Sequence, residues 1–312
     1  MPQLVLNVDE LSKSFGDVHA VSGVSLRIES GEIFGLLGPN GAGKTTTISM
    51  ICGLLKPDSG TVIVNGHDFS KNPSDAQQNM GVVPQEVALY EELSAKENLI
   101  FWGKLAGLTA ARAKERAAEL LDELALVDRG DDPVRTYSGG MKRRVNIGCA
   151  LLHNPKLLLL DEPTVGIDPQ ARANVLEFVR DLSARGTGVL YTTHYLDEAE
   201  SLCDRIGILD EGKLLAEGTL AELRNRLGGD RLFVLEGDFS DTDPSEWSAL
   251  NERFQVVLQR DDQLVVASTE QRHPSDCLRD LLDLPVEIEN AAMKRPTLND
   301  VYLHLTGREL RE

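Results

Sequence analysis

Gly38-Pro39-Asn40-Gly41-Ala42-Gly43-Lys44-Thr45 decides how this 312-residue chain is read. The apolar run Ile33-Phe34-Gly35-Leu36-Leu37 leads into it, and a helix-like stretch from Thr46 to Leu54 leaves it. A buried strand, a glycine-rich loop and a helix in that order make a cradle for phosphate. The glycines let the backbone curl so that several N–H groups face inward. The helix start adds the positive end of its dipole. Lys44 brings a point charge for the β- and γ-phosphates of a nucleotide, and the Thr45 hydroxyl is a ligand for Mg²⁺. Gly38, Asn40, Gly41, Ala42, Gly43 and Thr46 complete the candidate phosphate contacts.

Further along, Leu157-Leu158-Leu159-Leu160-Asp161-Glu162 is a fully apolar strand ending in two acids. Alone, such a pair is a solvated loop. Beside a phosphate cradle, Asp161 suits a second contact to Mg²⁺, and Glu162 stands where a general base could polarise an attacking water.

Strands are expected at residues 4–8, 18–28, 61–64 and 188–192, with a hairpin pairing 206–209 and 213–216 across Asp210-Glu211-Gly212. Helix formers crowd Ser94 to Leu126, and helices are expected over 170–185 and 196–203. Ser138 reads as the N-cap of a helix reaching about His153, with Met141, Val145, Cys149 and Leu152 on its apolar face and Arg143 and Arg144 in solvent. The alternation of strands and helices predicts an α/β sheet with a helical subdomain at about 86–154. Near Leu227-Gly228-Gly229-Asp230 the pattern breaks. Strands at 231–235, 255–258 and 264–267, a helix at 275–282 and a final strand and helix follow. The expected division is therefore 1–227 and a small α+β domain at 228–312.

Hydrophobic residues make up 41% of the chain, enough for a substantial core, and the net charge of -18 argues against a nucleic-acid partner. Cys52, Cys149, Cys203 and Cys277 are far apart in sequence and form no metal or redox motif, which suits a reducing compartment such as the cytosol. Met1-Pro2-Gln3-Leu4 does not open a signal peptide, and no run of about 18 apolar residues could span a membrane.

Tyr137-Ser138-Gly139-Gly140-Met141 resembles the signature motif of ABC ATPases. Gln85 in Gly81-Val82-Val83-Pro84-Gln85 is similar to that family's Q-loop, Asp168 in Gly166-Ile167-Asp168-Pro169 to its D-loop, and His194 in Thr192-Thr193-His194 to its switch histidine. Phe15 sits where the family places an aromatic on adenine. The resemblance spans about residues 4 to 222. It implies the P-loop ABC ATPase fold and hydrolysis of MgATP. In these terms Phe15 stacks on the base, Gln85 contacts Mg²⁺ and senses the γ-phosphate, Glu162 is the base, and His194 holds the γ-phosphate and the lytic water. Ser138, Gly139, Gly140 and Asp168 complete a site on a second subunit. Tyr137 stands where Leu is commoner and Phe15 where Tyr is commoner; the contacts that matter, a helix start and a π-face, survive both.

The tail, Arg295-Pro296-Thr297-Leu298-Asn299-Asp300-Val301-Tyr302-Leu303-His304-Leu305-Thr306-Gly307-Arg308, resembles the end of ATP-binding subunits of ABC-2-type exporters, a group that includes drug and antibiotic resistance transporters. The implied partners are a separate transmembrane permease and a second ATPase subunit, identical or related, in a head-to-tail ATP sandwich on the cytoplasmic side of the membrane. An importer ATPase and a non-transport ABC ATPase are the competing readings.

Overall fold

The structure, a computed structural model, describes residues 3–227, 231–240, 253–268, 272–284, 286–308 and 310. Two long strands, β1 (Leu4–Phe15) and β2 (Val18–Glu29), pair antiparallel and are followed by β3 (Ile33–Leu37), which runs into the glycine-rich loop and α1 (Lys44–Ile51). β4 (Ser59–Val64) returns to pair with β1 and carries the two-residue β5 (His67–Asp68). β1 extends well past Val8, where the expected strand ended. Its register slips between Val8 and Leu11, and Glu10 takes φ 50, which breaks the alternation that a sequence pattern relies on. The short α2 (Pro73–Gln78) and the strand β6 (Met80–Val83) were not anticipated.

A second sheet is built from β3, β6, β7 (Leu157–Asp161), β8 (Gly188–Thr193), β9 (Arg205–Asp210) and β10 (Lys213–Gly218), in the order β10-β9-β3-β8-β7-β6. The four pairings from β9 through β3, β8 and β7 to β6 are parallel. Such strands are covered on both faces, so every residue of β3, β7 and β8 is buried. The pleat sorts their side chains strictly. Leu158, Leu160, Val189 and Tyr191 enter one core, while Leu157, Leu159 and Leu190 enter the other. The second core lies against α1 and the β1–β2–β4 sheet. The first receives the helical segment.

That segment holds α3 (Ala95–Leu105), α4 (Ala110–Glu123) and α5 (Gly139–Ala150). The helix-rich stretch is thus two helices. Ser94 and Glu97 form a reciprocal cap at the start of α3, Gly107 at φ 92 ends it, and Thr109 caps α4. Beyond β7 come α6 (Pro169–Ala184) and α7 (Leu196–Leu202).

The chain forms two compact units, Met1–Leu214 and Leu215–Glu312. In the second, β11 (Leu232–Gly237), β12 (Phe254–Gln259), β13 (Gln263–Ser268) and β14 (Ile288–Lys294) make an antiparallel sheet in the order β12-β13-β11-β14. The helix α9 (Pro274–Leu282) sets Cys277 and Leu281 into a core with Phe233, Leu235, Leu264 and Val266. The short α8 (Leu220–Asn225) packs on α10 (Leu298–Thr306), so the division falls earlier than the expected one at 227/228. Gly228-Gly229-Asp230 themselves lie outside the described residues.

Candidate nucleotide-binding site

The glycine loop does what its composition requires. Gly41 and Gly43 take φ 83 and 105, the left-handed region that costs an L side chain about 1–2 kcal/mol. A Cβ on Gly43 would also lie 2.5 Å from the Ala20 carbonyl oxygen. α1 begins at Lys44, earlier than the expected Thr46, with Gly43 at its N-cap and no side chain capping it. Its leading N–H groups are therefore of the kind an anion accepts. Asn40, Gly41, Gly43–Thr46, Gln85 and Glu162 line one cleft of about 220 Å³.

Lys44 is 4% exposed. Its Nζ donates to the carbonyls of Gly38 (2.7 Å) and Pro39 (3.0 Å) and pairs with Glu162 Oε1 at 2.9 Å. The other Glu162 oxygen lies 3.2 Å from His194 Nδ1, off the line of a good hydrogen bond. Glu162 thus faces both groups expected to touch the γ-phosphate. Its own backbone sits at φ 43, a strained position of the kind that clusters at functional sites. One hydroxyl fixes the acid pair: Thr192 Oγ1 donates to Asp161 Oδ1 at 2.7 Å and accepts the Glu162 N–H at 2.9 Å. Asp161 is buried behind that hydroxyl and is not among the groups lining the cleft.

The turn carrying His194 is anchored by Glu198, which is 1% exposed. Tyr191 Oη and Thr193 Oγ1 each donate to Glu198 Oε2 at 2.9 Å, and Thr193 Oγ1 accepts the Tyr195 N–H. Arg172 of α6 approaches Glu198 Oε1 at 3.4 Å and stacks over the Tyr195 ring at 4.3 Å. Burial, together with the nearby Glu198 carboxylate, pushes the Tyr191 phenol far above its ordinary range, so it stays a donor.

Ser138, Gly139, Gly140 and Asp168 lie outside the lining of that cleft. Ser138 caps α5 as expected, accepting the Met141 N–H at 3.3 Å. Asp168 caps α6, accepting the Ala171 N–H at 2.9 Å. A Cβ on Gly140 would come within 2.4 Å of the Ala171 Cβ, so this glycine lets α5 pack on α6. Phe15 is 52% exposed at the end of β1, with Lys13 Nζ 5.7 Å from its ring centroid, and it too lies outside the lining. Tyr137 is buried in the apolar core, and its hydroxyl donates to the Arg129 carbonyl.

These features have counterparts in known proteins. Over 99% of this chain and 100% of its own length, the linearmycin resistance ATP-binding protein LnrL of Bacillus subtilis (strain 168) is 44% identical. The chain belongs to the ATP-binding proteins of ABC transporters. The ABC transporter family profile matches residues 21–165, and that of the DrrA1-3-like ATP-binding protein C-terminal domain matches residues 218–306. The daunorubicin resistance ATP-binding protein DrrA3 of Streptomyces coeruleorubidus is 42% identical over 100% of this chain and 98% of its own. A solved ATP-binding subunit of an ABC transporter is 37% identical and superposes with a TM-score of 0.65, covering 72% of this chain and 93% of that one. As a member of this family the chain binds and hydrolyses ATP. Among the described residues no helix is long and apolar enough to cross a membrane.

Of the two arginines placed in solvent by the sequence pattern, Arg143 is buried and Arg144 half-buried. Arg143 is 3% exposed and donates to the carbonyls of Pro84 (2.8 Å) and Gln85 (2.5 Å), and Arg144 donates to the Leu124 carbonyl at 2.6 Å. The helical period places Arg143 two residues from Met141 and Val145, off the apolar stripe. What the period does not show is that the Q-loop backbone covers that flank. Thr192, Tyr191 and Glu198 were missed for a related reason. Only their nearness to His194 in sequence could have marked them.

Proposed function

We propose that this chain is the ATPase motor of an ABC-2-type exporter, working from the cytoplasmic face of the membrane through a separate permease and moving drugs, antibiotics or other amphipathic compounds. The ATPase part is carried by one observation: a single cleft gathers the glycine loop, Lys44, Gln85 and Glu162, with His194 against Glu162. The export part is supported by likeness to resistance proteins along essentially the whole chain, including the C-terminal unit.

In this reading Lys44 and the N–H groups from Gly41 to Thr46 hold the phosphates. Phe15 and its neighbours meet the base. Thr45, Gln85 and Asp161 offer a hydroxyl, an amide oxygen and a carboxylate, all hard oxygen donors suited to Mg²⁺. Bound with the nucleotide there, Mg²⁺ would neutralise and orient the β- and γ-phosphates. Glu162 takes a proton from the attacking water as its oxygen bonds the γ-phosphorus, and the β–γ bridging oxygen leaves with ADP. His194 steadies the γ-phosphate and the water. Ser138, the Gly139 and Gly140 N–H groups and Asp168 lie outside the cleft that holds Lys44, so they act on the nucleotide of a second subunit. Two chains, identical or related, would close head to tail over two ATP molecules.

Crosslinking tests this arrangement. In a chain with Cys52, Cys149, Cys203 and Cys277 replaced and Glu162 changed to Gln, single cysteines placed near Gly41 and near Gly139 should join between subunits when ATP is added. Crosslinks confined to one chain, or indifferent to ATP, would rule it out. Direction is read in inverted membrane vesicles containing the permease. ATP-driven accumulation of an amphipathic dye, lost with Lys44→Ala, is expected; uptake in the opposite sense would favour an importer.

A further inference from the structure

We propose that Arg143 is a positioning residue that fastens the Q-loop to the signature helix, so that Gln85 and Ser138 move as one piece. The inference rests on the reading above, in which Gln85 serves the metal and the γ-phosphate and Ser138 serves the nucleotide of the partner subunit.

Four contacts attach α5 to the segment from Pro84 to Glu91. Arg143 holds the Pro84 and Gln85 carbonyls. One helical turn on, Asn146 Oδ1 accepts the Ala88 N–H at 3.3 Å. At the outer edge Lys142 Nζ pairs with Glu91 at 2.5 Å. Ser138 caps the same helix. Helices are stiff along their axis, whereas a loop with only its ends fixed is not. The loop therefore takes its position from α5 wherever these bonds hold it.

The arginine is an expensive choice for a purely structural tie. It is 3% exposed, its Nε finds no acceptor, and among the described residues no carboxylate pairs with it. A buried cation satisfied by carbonyls alone costs stability relative to an apolar side chain of similar volume. Pro84 and Gln85 are themselves exposed residues, and their bonds to Arg143 are part-buried. A fold needing only to fill this space would be served as well by Met. What Met cannot do is grip two successive carbonyls in a planar fork and so set the direction in which the Gln85 side chain leaves the backbone.

The geometry separates this role from a structural one. Arg143→Met should melt within about 4 °C of the parent, because loss of the bonds is offset by removal of a buried charge. Nucleotide affinity without Mg²⁺ should stay within about twofold, since no contact of the glycine loop changes. Turnover should fall at least about tenfold, and half-activation should need about fivefold more Mg²⁺. Arg143→Lys, which can reach one carbonyl, should recover part of both. The deciding measurement is a cycle with Gln85→Ala. That change should cost turnover in the parent and less than about twofold more in the Arg143→Met background, because Gln85 is already misplaced. If the two losses multiply, or if Arg143→Met keeps full turnover and Mg²⁺ dependence while Gln85→Ala does not, Arg143 does not position the loop. If Gln85→Ala alone has no effect, the role given to Gln85 fails instead. Should Arg143→Met not fold, the same cycle is run with Arg143→Lys and read by the same criteria.

Discussion

Glu162→Gln separates the two jobs proposed for one side chain. In the parent, Glu162 pairs with Lys44 at 2.9 Å, both nearly excluded from solvent, and lies 3.2 Å from His194. A unit charge pair at about 4 Å attracts by roughly 4 kcal/mol where the effective dielectric constant is about 20. The amide loses that attraction but keeps an oxygen that can accept from the ammonium, a bond to a charged group contributing about 1.5–3 kcal/mol. The difference, about 1–2.5 kcal/mol, is released when Lys44 turns to a phosphate, so ATP should bind about 5–70-fold more tightly. Removing the carboxylate's repulsion of the γ-phosphate acts in the same direction. Turnover moves the other way. An amide cannot take the proton of the attacking water, and loss of a positioned general base costs about 10²–10⁴-fold. The assay pairs equilibrium binding of a fluorescent ATP analogue with steady-state phosphate release on the same preparations. Near-parental turnover would refute the base assignment. Unchanged or weaker binding would refute the idea that Glu162 competes with phosphate for Lys44.

Lys44→Ala should weaken ATP binding by about 10–100-fold, the loss of a charged contact of roughly 1.5–3 kcal/mol, while circular dichroism stays unchanged. Gly43→Ala should do similar harm with the lysine still present, because the methyl group meets the Ala20 carbonyl at 2.5 Å and φ is 105; calorimetric titration with ATP checks it. Glu198→Ala should lower turnover by an order of magnitude or more, since two hydroxyls and Arg172 lose the carboxylate that steadies the His194 turn, with ATP affinity within about twofold. Alkaline pH should destabilise the fold through two partly buried thiols packed against its core. Burial pushes Cys149 up to about 12 and Cys203 higher still, so above about pH 9 the unfolded chain ionises where the folded chain does not. Stability then falls by about 1.4 kcal/mol per pH unit for each such group, and urea titrations at pH 8 and 10 should show a smaller loss in a Cys149→Ala, Cys203→Ala variant.

Chemistry written in contiguous residues was legible without coordinates. The glycine loop, the acid pair after a leucine strand and the cap at Ser138 each depend on neighbours a few positions away, where backbone geometry is set locally. The same holds for the strands and helices of the C-terminal unit, whose alternation survives in the sequence. Local rules failed where distant segments override them. β1 hides its full length behind a bulge. Arg143, charged and off the apolar stripe, reads as a surface residue until the Q-loop backbone, nearly sixty residues earlier in the chain, is laid over it. Glu198 is likewise an ordinary helix acid until Tyr191, Thr193 and Arg172 close around it. Sequence alone picked out the groups proposed to do the chemistry, because a phosphate cradle is a local shape. Only the tertiary structure decided which buried polar groups aim them, because a buried charge is held by partners that folding, not sequence order, brings within a hydrogen bond's reach.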